Sequence, residues 1–390
     1  MSSTSLTIAF LRRGYSPTGG VEAYLKGLAV GLRAEGHRVV LLGTSEWPES
    51  EWPGGEIIRC KGANLSEYSA EVARKKASPD NQFDLILSVE KVPGCDLYRT
   101  DEGIHAAWLA QRGRYITAWA RLFQWISPKH REKLRLEKQL FTPVGTRRVI
   151  SLSEKINREI GEYYGYPAAQ ISMIMNGVPS RGVTTPDQRE AARKELGIRQ
   201  DEKIVLFVGT GWERKGLRFA IRAVESLNDP SVKLLIAGSG SQKRYTSPSV
   251  RFLGGVQKMP MVYDAADIFL LPTIFDPFPL AGLEALSAGL PIITTSANGV
   301  SEIMTPGVHG EVIPESSDIA ALVTALRKWL GILSDPARSD QACSACAALA
   351  SEFTLERNLR ETLAVIREVM EEKAGRTLPS CLRPISPSPE

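Results

Sequence analysis

Two carboxylates, eight positions apart, lie on either side of a strand-to-helix turn. Asp276 lies in a Pro-rich turn after the apolar strand 268–271, and Glu284 lies in the first half of the next helix, which begins near Leu280. Few bulky polar side chains surround this helix start, so N–H groups near Leu280 and Ala281 are free to bind an anion at the positive end of the helix dipole. The pattern predicts a pocket that holds a phosphate on backbone amides and sugar hydroxyls on the carboxylates. A plain strand–helix–strand unit with solvated carboxylates is the alternative.

Two adjacent cations occur in a second turn of this kind. Arg214 and Lys215 lie in the Gly-rich turn 209–216, directly after the apolar strand 204–208. Such a pair can neutralise a diphosphate as it leaves its sugar. The turn lacks the G-x4-G-K-[ST] spacing, so it is not a Walker loop. The alternative is a glycine turn with two solvated cations.

A third set of titratable residues follows the predicted strand 84–89. Asp101 and His105 are expected in a Gly-containing loop just past this strand. Open α/β sheets bind ligands beyond the carboxyl ends of their strands, which favours a site here. A surface loop with a chance acid and histidine is the alternative.

The first of these motifs carries a family resemblance. Asp276-x7-Glu284, followed by the run 285–291, resembles the E-x7-E signature of the retaining glycosyltransferases of family four, which have the GT-B fold. The segment 91–105 resembles the lipopolysaccharide core glucosyltransferases within that family. The likeness covers nearly the whole chain. Asp276 departs from the pattern, because the family usually has glutamate there; the charge is kept and the reach is one methylene shorter.

The resemblance implies a role in donor binding for several residues. Arg214 and Lys215 would bind the donor diphosphate, together with the N–H groups near Leu280 and Ala281. Glu284 would hydrogen-bond the ribose hydroxyls.

Three residues are candidates for catalysis on the same basis, and three more for donor contacts. Asp276 would hold hydroxyls of the sugar and fix its anomeric carbon, while Asp101 and His105 would face the bond being made from the other domain. The remaining donor contacts would come from the turn at Val256, near the nucleobase, and from the loop at Gly19 and Gly20, against the diphosphate. A tight turn explains the glycine pair equally well.

Length and element order predict the architecture. A chain of 390 residues is too long for one ordinary core, so two domains are expected. The fold class predicted is α/β, and the resemblance implies GT-B: two Rossmann-like domains facing a cleft, with the C-terminal helix crossing back. Residues 1–180 would form the acceptor-binding domain, completed by the helix at about 358–373. Residues 181–357 would bind the nucleotide-sugar, and 374–390 would be a mostly disordered tail.

Residues 106–148 combine aromatic and basic side chains. Five Trp, Tyr and Phe residues lie within 108–125, and eight Arg and Lys residues lie within 112–138. The only acidic residues in this segment of the sequence are Glu132 and Glu137. This composition favours an anionic membrane surface or another anionic ligand. Amphipathic helices with inward Trp side chains are an alternative. No nucleic-acid motif accompanies the charge, so nucleic acid is not predicted as a partner.

Bulk composition adds few constraints on partners and compartment. The net charge is +4, and the five cysteines, with a single C-x2-C pair at Cys343 and Cys346, predict neither a disulfide framework nor a zinc site. The first residues read as a strand rather than a signal peptide, and no apolar run reaches the roughly 20 residues needed to span a bilayer. A cytoplasmic location is expected, with the inner face of the cytoplasmic membrane as a possible site of peripheral attachment.

The function expected from the resemblance is transfer of a hexose. The donor would be a UDP-sugar, with glucose as the sugar, and the acceptor a saccharide or glycolipid such as lipopolysaccharide core. The sequence contains no Asp-x-Asp, so neither a metal nor another cofactor is expected. Retention is implied by the family alone, and same-face return and double displacement both remain compatible. The alternatives are a GT-B epimerase and a catalytically silent nucleotide-sugar-binding protein.

Overall fold

The computed structural model describes residues 5–17 and 19–375, which form two parallel β-sheets with helices packed on them. The first sheet contains seven strands: β1 (Thr7–Leu11), β2 (Arg38–Gly43), β3 (Glu56–Arg59), β4 (Leu85–Ser88), β5 (Cys95–Arg99), β6 (Thr146–Ser151) and β7 (Ile171–Met173). Its strand order is β3-β2-β1-β4-β5-β6-β7, and every neighbouring pair is parallel.

The second sheet has six strands: β8 (Lys203–Val208), β9 (Val232–Ala237), β10 (Val250–Gly254), β11 (Ile268–Leu271), β12 (Ile292–Thr295) and β13 (Gly310–Ile313). Its order is β10-β9-β8-β11-β12-β13, again with parallel pairs throughout. Helices cover both faces of such sheets, which is why the central strands are continuous apolar runs. All four residues of β11 are fully buried, for example.

The helices connect these strands. In chain order they are α1 (Gly20–Ala34), α2 (Leu65–Ala77), α3 (His105–Arg112), α4 (Ala118–Ile126), α5 (Pro128–Leu140), α6 (Glu154–Tyr164), α7 (Pro186–Glu195), α8 (Leu217–Glu225), α9 (Met259–Asp264), α10 (Leu280–Ser287), α11 (Ile319–Leu333), α12 (Pro336–Ser351) and α13 (Leu355–Lys373).

The last helix crosses back onto the first sheet, as predicted. The amide of Asn358 donates to the carbonyl of Met175 over 2.6 Å, and Lys373 at the far end pairs with Asp96 over 3.0 Å. Leu363, Ile366 and Val369 of α13 lie in the same hydrophobic core as β1 and α1. Two Rossmann-like domains with a returning C-terminal helix are therefore confirmed. The boundary proposed at 180/181 stays a prediction, and most of the proposed tail, from residue 376 onward, lies outside the described residues.

The sequence reading missed β5, which changes the setting of two candidate residues. Asp96 and Arg99 interrupt the apolar pattern of this strand, yet both are buried. The Asp96 carboxylate accepts the N–H of Ile86 over 2.9 Å, so its polarity is satisfied inside the sheet. The prediction that Asp101 and His105 share a loop just past β4 was therefore wrong. Asp101 follows β5, and His105 is the first residue of α3.

Candidate active site

The predicted carboxylate and cations meet at the carboxyl ends of β8 and β11. Asp276 is only 4 % exposed, and its Oδ2 lies 2.9 Å from the Lys215 Nζ and 3.4 Å from the Arg214 Nη1. The carbonyl of Arg214 accepts the N–H of Ile274 over 2.8 Å and the hydroxyl of Thr273 over 2.9 Å. Backbone contacts thus hold the two turns together, and the charges are positioned by buried strands.

Ionisation of Asp276 is favoured despite its burial. Loss of solvent alone would raise its pKa, but the charges of Lys215 and Arg214 and the Lys215 hydrogen bond outweigh that effect and hold the pKa below its usual value. The cluster therefore carries two cations against one ionised carboxylate, which leaves net positive charge for an anion.

The helix start beside this cluster is open, as the sequence indicates. Pro279 precedes α10, and no side chain among the described residues caps the N–H groups of its first turn at Leu280 and Ala281. Gly289, with φ +85°, ends the segment after the helix in a conformation that favours glycine. Unpaired N–H groups and the helix dipole can both stabilise an anion here.

Glu284 lies one turn into α10 and is half-buried. Its Oε2 accepts the hydroxyl of Tyr263, on α9, over 2.6 Å. Burial raises the pKa of Glu284, while the Tyr263 hydrogen bond opposes that shift. The tyrosine fixes one carboxylate oxygen and leaves the other available to a ligand. Sequence reasoning missed Tyr263, since its only signal is its position in an unremarkable short helix.

The glycine loop of the first domain approaches this helix closely. A Cβ on Gly20 would lie 2.4 Å from the Leu280 Cδ1, and a Cβ on Gly19 would lie 1.8 Å from the Glu22 carboxylate. Neither glycine has a positive φ. Gly20 allows the close approach that brings the first domain against the start of α10, whereas the atoms nearest to Gly19 belong to Glu22 and Ser16, which are nearby in the chain. The N–H of Gly19 donates to the Ser16 carbonyl over 3.1 Å, so this glycine also closes a turn.

Asp101 is buried in an ion pair with Arg99. Arg99 also bonds the Asn176 side chain and lies 3.8 Å from the centre of the Tyr24 ring. Burial raises the pKa of Asp101, and the charge of Arg99 opposes this. Its second oxygen, Oδ2, has no hydrogen-bond partner among the described residues.

His105 begins α3 and is held by two partners. Its backbone N–H donates to the Glu137 carboxylate over 2.7 Å, and its Nε2 lies 3.1 Å from the Nδ1 of His130. Burial lowers the pKa of His105 to about 3, with further contributions from the nearby Lys91 and Lys133. The imidazole is therefore neutral at pH 7 and can form a hydrogen bond with a ligand.

Phe275 connects the segments from the two domains. Its ring lies against Gly103, between Asp101 and His105, where a Cβ would come within 2.7 Å of the ring, and its centre is 6.3 Å from that of Trp108. The amide of Asn176 donates to the Phe278 carbonyl over 2.6 Å. Asp101, His105 and Asp276 thus belong to one assembly that spans the two domains, although no direct contact joins the first two to the third.

Val256 lies apart from these residues. It follows β10, the edge strand, and packs half-buried on the core of the second domain. Because the strands are parallel, its loop shares the carboxyl edge of the sheet with the turn at Arg214. Trp212 fills the space between these loops, since its ring lies 5.5 Å from that of Phe252 and would contact a Cβ on Gly240. The proposed role of Val256 at the nucleobase stays a prediction.

The basic, aromatic segment folds as three helices with unequal exposure. Trp108 on α3 packs inward, but the large side chains of α4 face solvent, with Trp119 74 % and Phe123 62 % exposed. The inward alternative is therefore wrong for α4. Leu122, Trp125 and Ile126 are also exposed. Five large apolar side chains are thus exposed on one helix, a pattern that favours an interaction surface.

The described ranges hold neither a cluster of metal ligands nor a membrane-spanning helix. No group of three His, Cys, Asp or Glu side chains within residues 5–17 and 19–375 is placed to hold a metal ion. None of the helices described there is both long and apolar enough to cross a bilayer.

Comparisons with known proteins agree with this architecture. Residues 18–181 match the model of Glycosyltransferase Family 4, and residues 188–342 match that of Glycosyl transferases group 1. The lipopolysaccharide glucosyltransferase WaaG of Escherichia coli is 24 % identical over 347 residues, which cover 83 % of this chain and 90 % of that protein. An uncharacterized glycosyltransferase of Methanocaldococcus jannaschii is 31 % identical over 189 residues, or 44 % of this chain, and the chain matches about half, 48 %, of its length.

A solved structure gives the same result for the fold. The crystal structure of WaaG, a glycosyltransferase involved in lipopolysaccharide biosynthesis, superimposes with a TM-score of 0.77 at 22 % identity, covering 92 % of this chain and 99 % of that one. The two family matches lie on the two domains in turn. The chain therefore belongs to the GT-B glycosyltransferases of the family-four type and resembles the lipopolysaccharide core glucosyltransferases.

Proposed function

We propose that this protein is a retaining, metal-independent hexosyltransferase that moves glucose from a UDP-sugar to a saccharide or glycolipid acceptor such as lipopolysaccharide core. The observation that carries the proposal is the cluster of Asp276, Lys215 and Arg214 beside the uncapped start of α10. Further support for the donor comes from a structural neighbour, an Anabaena protein in complex with UDP-glucose, at a TM-score of 0.69 and 18 % identity. The name of the E. coli relative supports the acceptor class.

On the donor side, the diphosphate would displace part of the existing ion pairing. Lys215 and Arg214 would turn from Asp276 toward the phosphate oxygens, and the N–H groups of Leu280 and Ala281 would add two more donors. Asp276, released from part of its pairing, would then accept hydroxyls of the sugar. Charge that builds on the leaving phosphate would then be stabilised by these two cations, which is the main source of rate enhancement expected here.

The remaining donor contacts follow from Glu284 and the glycine loop. The free oxygen of Glu284 would accept ribose hydroxyls, with Tyr263 holding the other oxygen. Gly19 and Gly20 would allow the first domain to approach the diphosphate, and Val256 would lie near the base.

Asp101 and His105 would serve the acceptor side. His105, neutral at pH 7, can accept a hydrogen bond from a hydroxyl or donate one to it. Asp101 has one oxygen without a partner, which can hold a second hydroxyl. Both residues lie two positions from Gly103, against which the Phe275 ring packs, and they would share one wall of the cleft.

The exposed face of α4 would place the enzyme on the inner surface of the cytoplasmic membrane. Trp119, Phe123 and Trp125 would enter the headgroup region, and the surrounding cations would meet anionic lipids. Such attachment would bring a glycolipid acceptor to the cleft.

The direct test is consumption of donor with and without acceptor, in buffer that contains a metal chelator. The proposal expects UDP release from UDP-glucose only when an acceptor such as lipopolysaccharide core from a strain lacking its outer sugars is present. Release that needs a divalent ion would contradict metal independence. Conversion of the donor alone would favour the epimerase, and binding without any turnover would favour the silent protein.

A further inference from the structure

A second cationic site lies in the first domain, away from the donor cluster. A groove of about 1150 Å³ separates the start of α2 from α5, and we call it the basic groove. Two carboxylates, Glu67 and Glu132, also line it. Its five basic residues are Arg13, Lys129, Arg131, Lys133 and Arg135.

Both carboxylates of the basic groove are already engaged by α2. Glu132 accepts the N–H of Ser66 over 2.8 Å. Glu67 accepts the N–H of Ala63 over 2.9 Å and the side-chain amide of Asn64 over 2.8 Å. They hold the helix start and do not pair with the cations. Burial alone would raise the pKa of Glu132, but its Ser66 hydrogen bonds and the charges of Arg135 and Arg13 keep that pKa below its usual value.

Four of the five cations have no acidic partner among residues 5–17 and 19–375. Lys133 pairs with Glu102 over 3.1 Å, and within the described part of the chain no carboxylate lies within 4 Å of the others. Arg13 donates to the Ala63 carbonyl over 3.2 Å and Arg135 to the Ser66 hydroxyl over 2.8 Å, both neutral groups. Lys129 and Arg131 are exposed.

The charge pattern of α5 is unfavourable for the helix itself. Its first turn carries Lys129 and Arg131 and no acid, so cations lie at the positive end of the helix dipole. Lys129 and Lys133 are four residues apart, as are Arg131 and Arg135, and like charges at this spacing repel each other. An anion in the groove would relieve both the unfavourable interaction with the helix dipole and the repulsion between the like charges.

The basic groove adjoins the predicted acceptor side of the cleft. Lys133 contacts Glu102, the neighbour of Asp101, and the backbone N–H of Arg13 donates to Glu90 over 3.1 Å. The donor diphosphate already has Arg214 and Lys215 in the other domain. A second anion therefore has to come from another molecule.

We propose that the basic groove binds a phosphate or carboxylate carried by the acceptor saccharide. The assignment rests on the proposed transferase function and narrows its substrate class to acidic acceptors. The anionic group would anchor the acceptor by charge-assisted hydrogen bonds while a hydroxyl elsewhere on the molecule reaches the cleft.

The test measures binding of glucose 6-phosphate, glucuronate and uncharged glucose by calorimetry, with UDP at saturation to occupy the donor site. The variant is Lys129→Gln with Arg131→Gln. The control is Arg222→Gln with Arg327→Gln, which removes two exposed helical cations that have no ion pair among the described residues of the second domain.

Binding of a charged sugar should weaken at least tenfold in the groove variant, stay within twofold in the control, and weaken with added salt. Glucose 6-phosphate and glucuronate distinguish a phosphate from a carboxylate as the preferred group. Equal loss in the groove variant and the control, or no loss in either, would overturn the proposal.

Two further measurements distinguish this proposal from membrane binding by the groove and from the proposed transferase function. If the groove variant loses binding to phosphatidylglycerol vesicles but keeps glucose 6-phosphate, the groove belongs to the membrane and the acceptor assignment is overturned. UDP binding is measured first, in wild-type protein. Its absence would contradict the proposed function, while groove-dependent binding of glucose 6-phosphate would still establish the anion site.

Discussion

The proposed donor side and the proposed acceptor side of this molecule are built in different ways. On the donor side, Asp276 and its two cations are paired at the ends of buried strands, and Glu284 is fixed by Tyr263. On the proposed acceptor side, α4 carries exposed aromatic residues, and most cations of α4 and α5 have no acidic partner among the described residues. The first arrangement is a set of charges already paired within the protein, whereas the second is a surface most of whose charges have no such partner there.

This difference shows which part of the chemistry is common to a fold and which is particular to one protein. A diphosphate requires fixed positive charge, and strand ends supply it reproducibly. An acceptor can be any saccharide or glycolipid, so the elements that receive it can vary without disturbing the sheet. The experiments below are designed to show whether the two sides are separate in function as well as in structure.

The largest effect is expected from Arg214→Ala. It removes a cation placed to stabilise the leaving diphosphate, so turnover should fall by roughly two to three orders of magnitude. The steady-state rate of UDP release measures this. Arg222→Ala, on the exposed face of the following helix, should leave the rate near the wild-type value. A near-normal rate for Arg214→Ala would remove this residue from the donor side.

The second effect concerns the contact between the two sides. Gly20→Val should push the glycine loop away from Leu280, because a Cβ there would lie 2.4 Å from the leucine side chain. We expect about a tenfold loss of UDP affinity, since the leucine can yield in part. Gly27→Ala is the matched control in the same helix.

Gly27 has nothing within 4 Å of an added Cβ. Alanine there should raise the free energy of unfolding by about 0.5–1 kcal/mol, because glycine is a poor helix former. Its UDP affinity should be unchanged. Equal affinities for both variants would show that the glycine loop has no part in donor binding.

The third effect tests whether α4 acts only on the acceptor side. Changing Trp119, Phe123 and Trp125 to Ser removes most of its exposed apolar area. Binding to vesicles that contain phosphatidylglycerol should weaken about tenfold in co-sedimentation, while UDP affinity stays constant.

The control for α4 replaces three exposed apolar residues elsewhere, Val30, Val308 and Leu355, with Ser. It should bind vesicles like the wild type. If both triple variants behave alike, α4 is not a membrane contact and its apolar face receives another partner.

A further effect is a pH dependence centred on His105. Its pKa is about 3 in the folded protein and about 6.5 in an unfolded chain, so the unfolded state binds the extra proton between these values. The contribution of His105 to the free energy of unfolding is thus fully present above pH 6.5 and is lost as the pH falls toward 3. Between pH 6.5 and 5 the loss should be about 2 kcal/mol.

Urea unfolding of the wild type and of His105→Gln at these two pH values measures that loss. The variant should show a smaller decrease, since it lacks the group that titrates. Identical pH profiles would mean that His105 is not held neutral by the surrounding burial, Lys91, Lys133 and His130.

The sequence predicts the donor side well because its signals are local. Asp276, Glu284 and the start and end of α10 fall within one short segment, and the strand at 268–271 has the predicted bounds. The meeting of Asp276 with Lys215 follows from the neighbouring positions of β8 and β11, which a parallel sheet makes plausible but a sequence does not specify.

The acceptor side could be predicted only in part, since its contacts are long-range. β5 was missed because Asp96 and Arg99 break its apolar pattern. One partner of each, Lys373 for Asp96 and Asn176 for Arg99, lies far away in sequence. The close approach of Gly20 to Leu280 joins residues 260 positions apart and has no sequence signal. The basic composition of α5 was visible, but its groove depends on the packing of α2.

Calorimetry of UDP binding without metal, comparing wild-type protein with Glu284→Gln, tests the proposed donor site most directly. We expect the wild type to bind UDP in the presence of chelator and to prefer it to ADP and GDP. Glu284→Gln should weaken binding at least tenfold with an unchanged melting temperature, because one carboxylate oxygen is reserved for the ribose. Equal affinity in the two proteins, or no UDP binding by the wild type, would contradict the donor site described here.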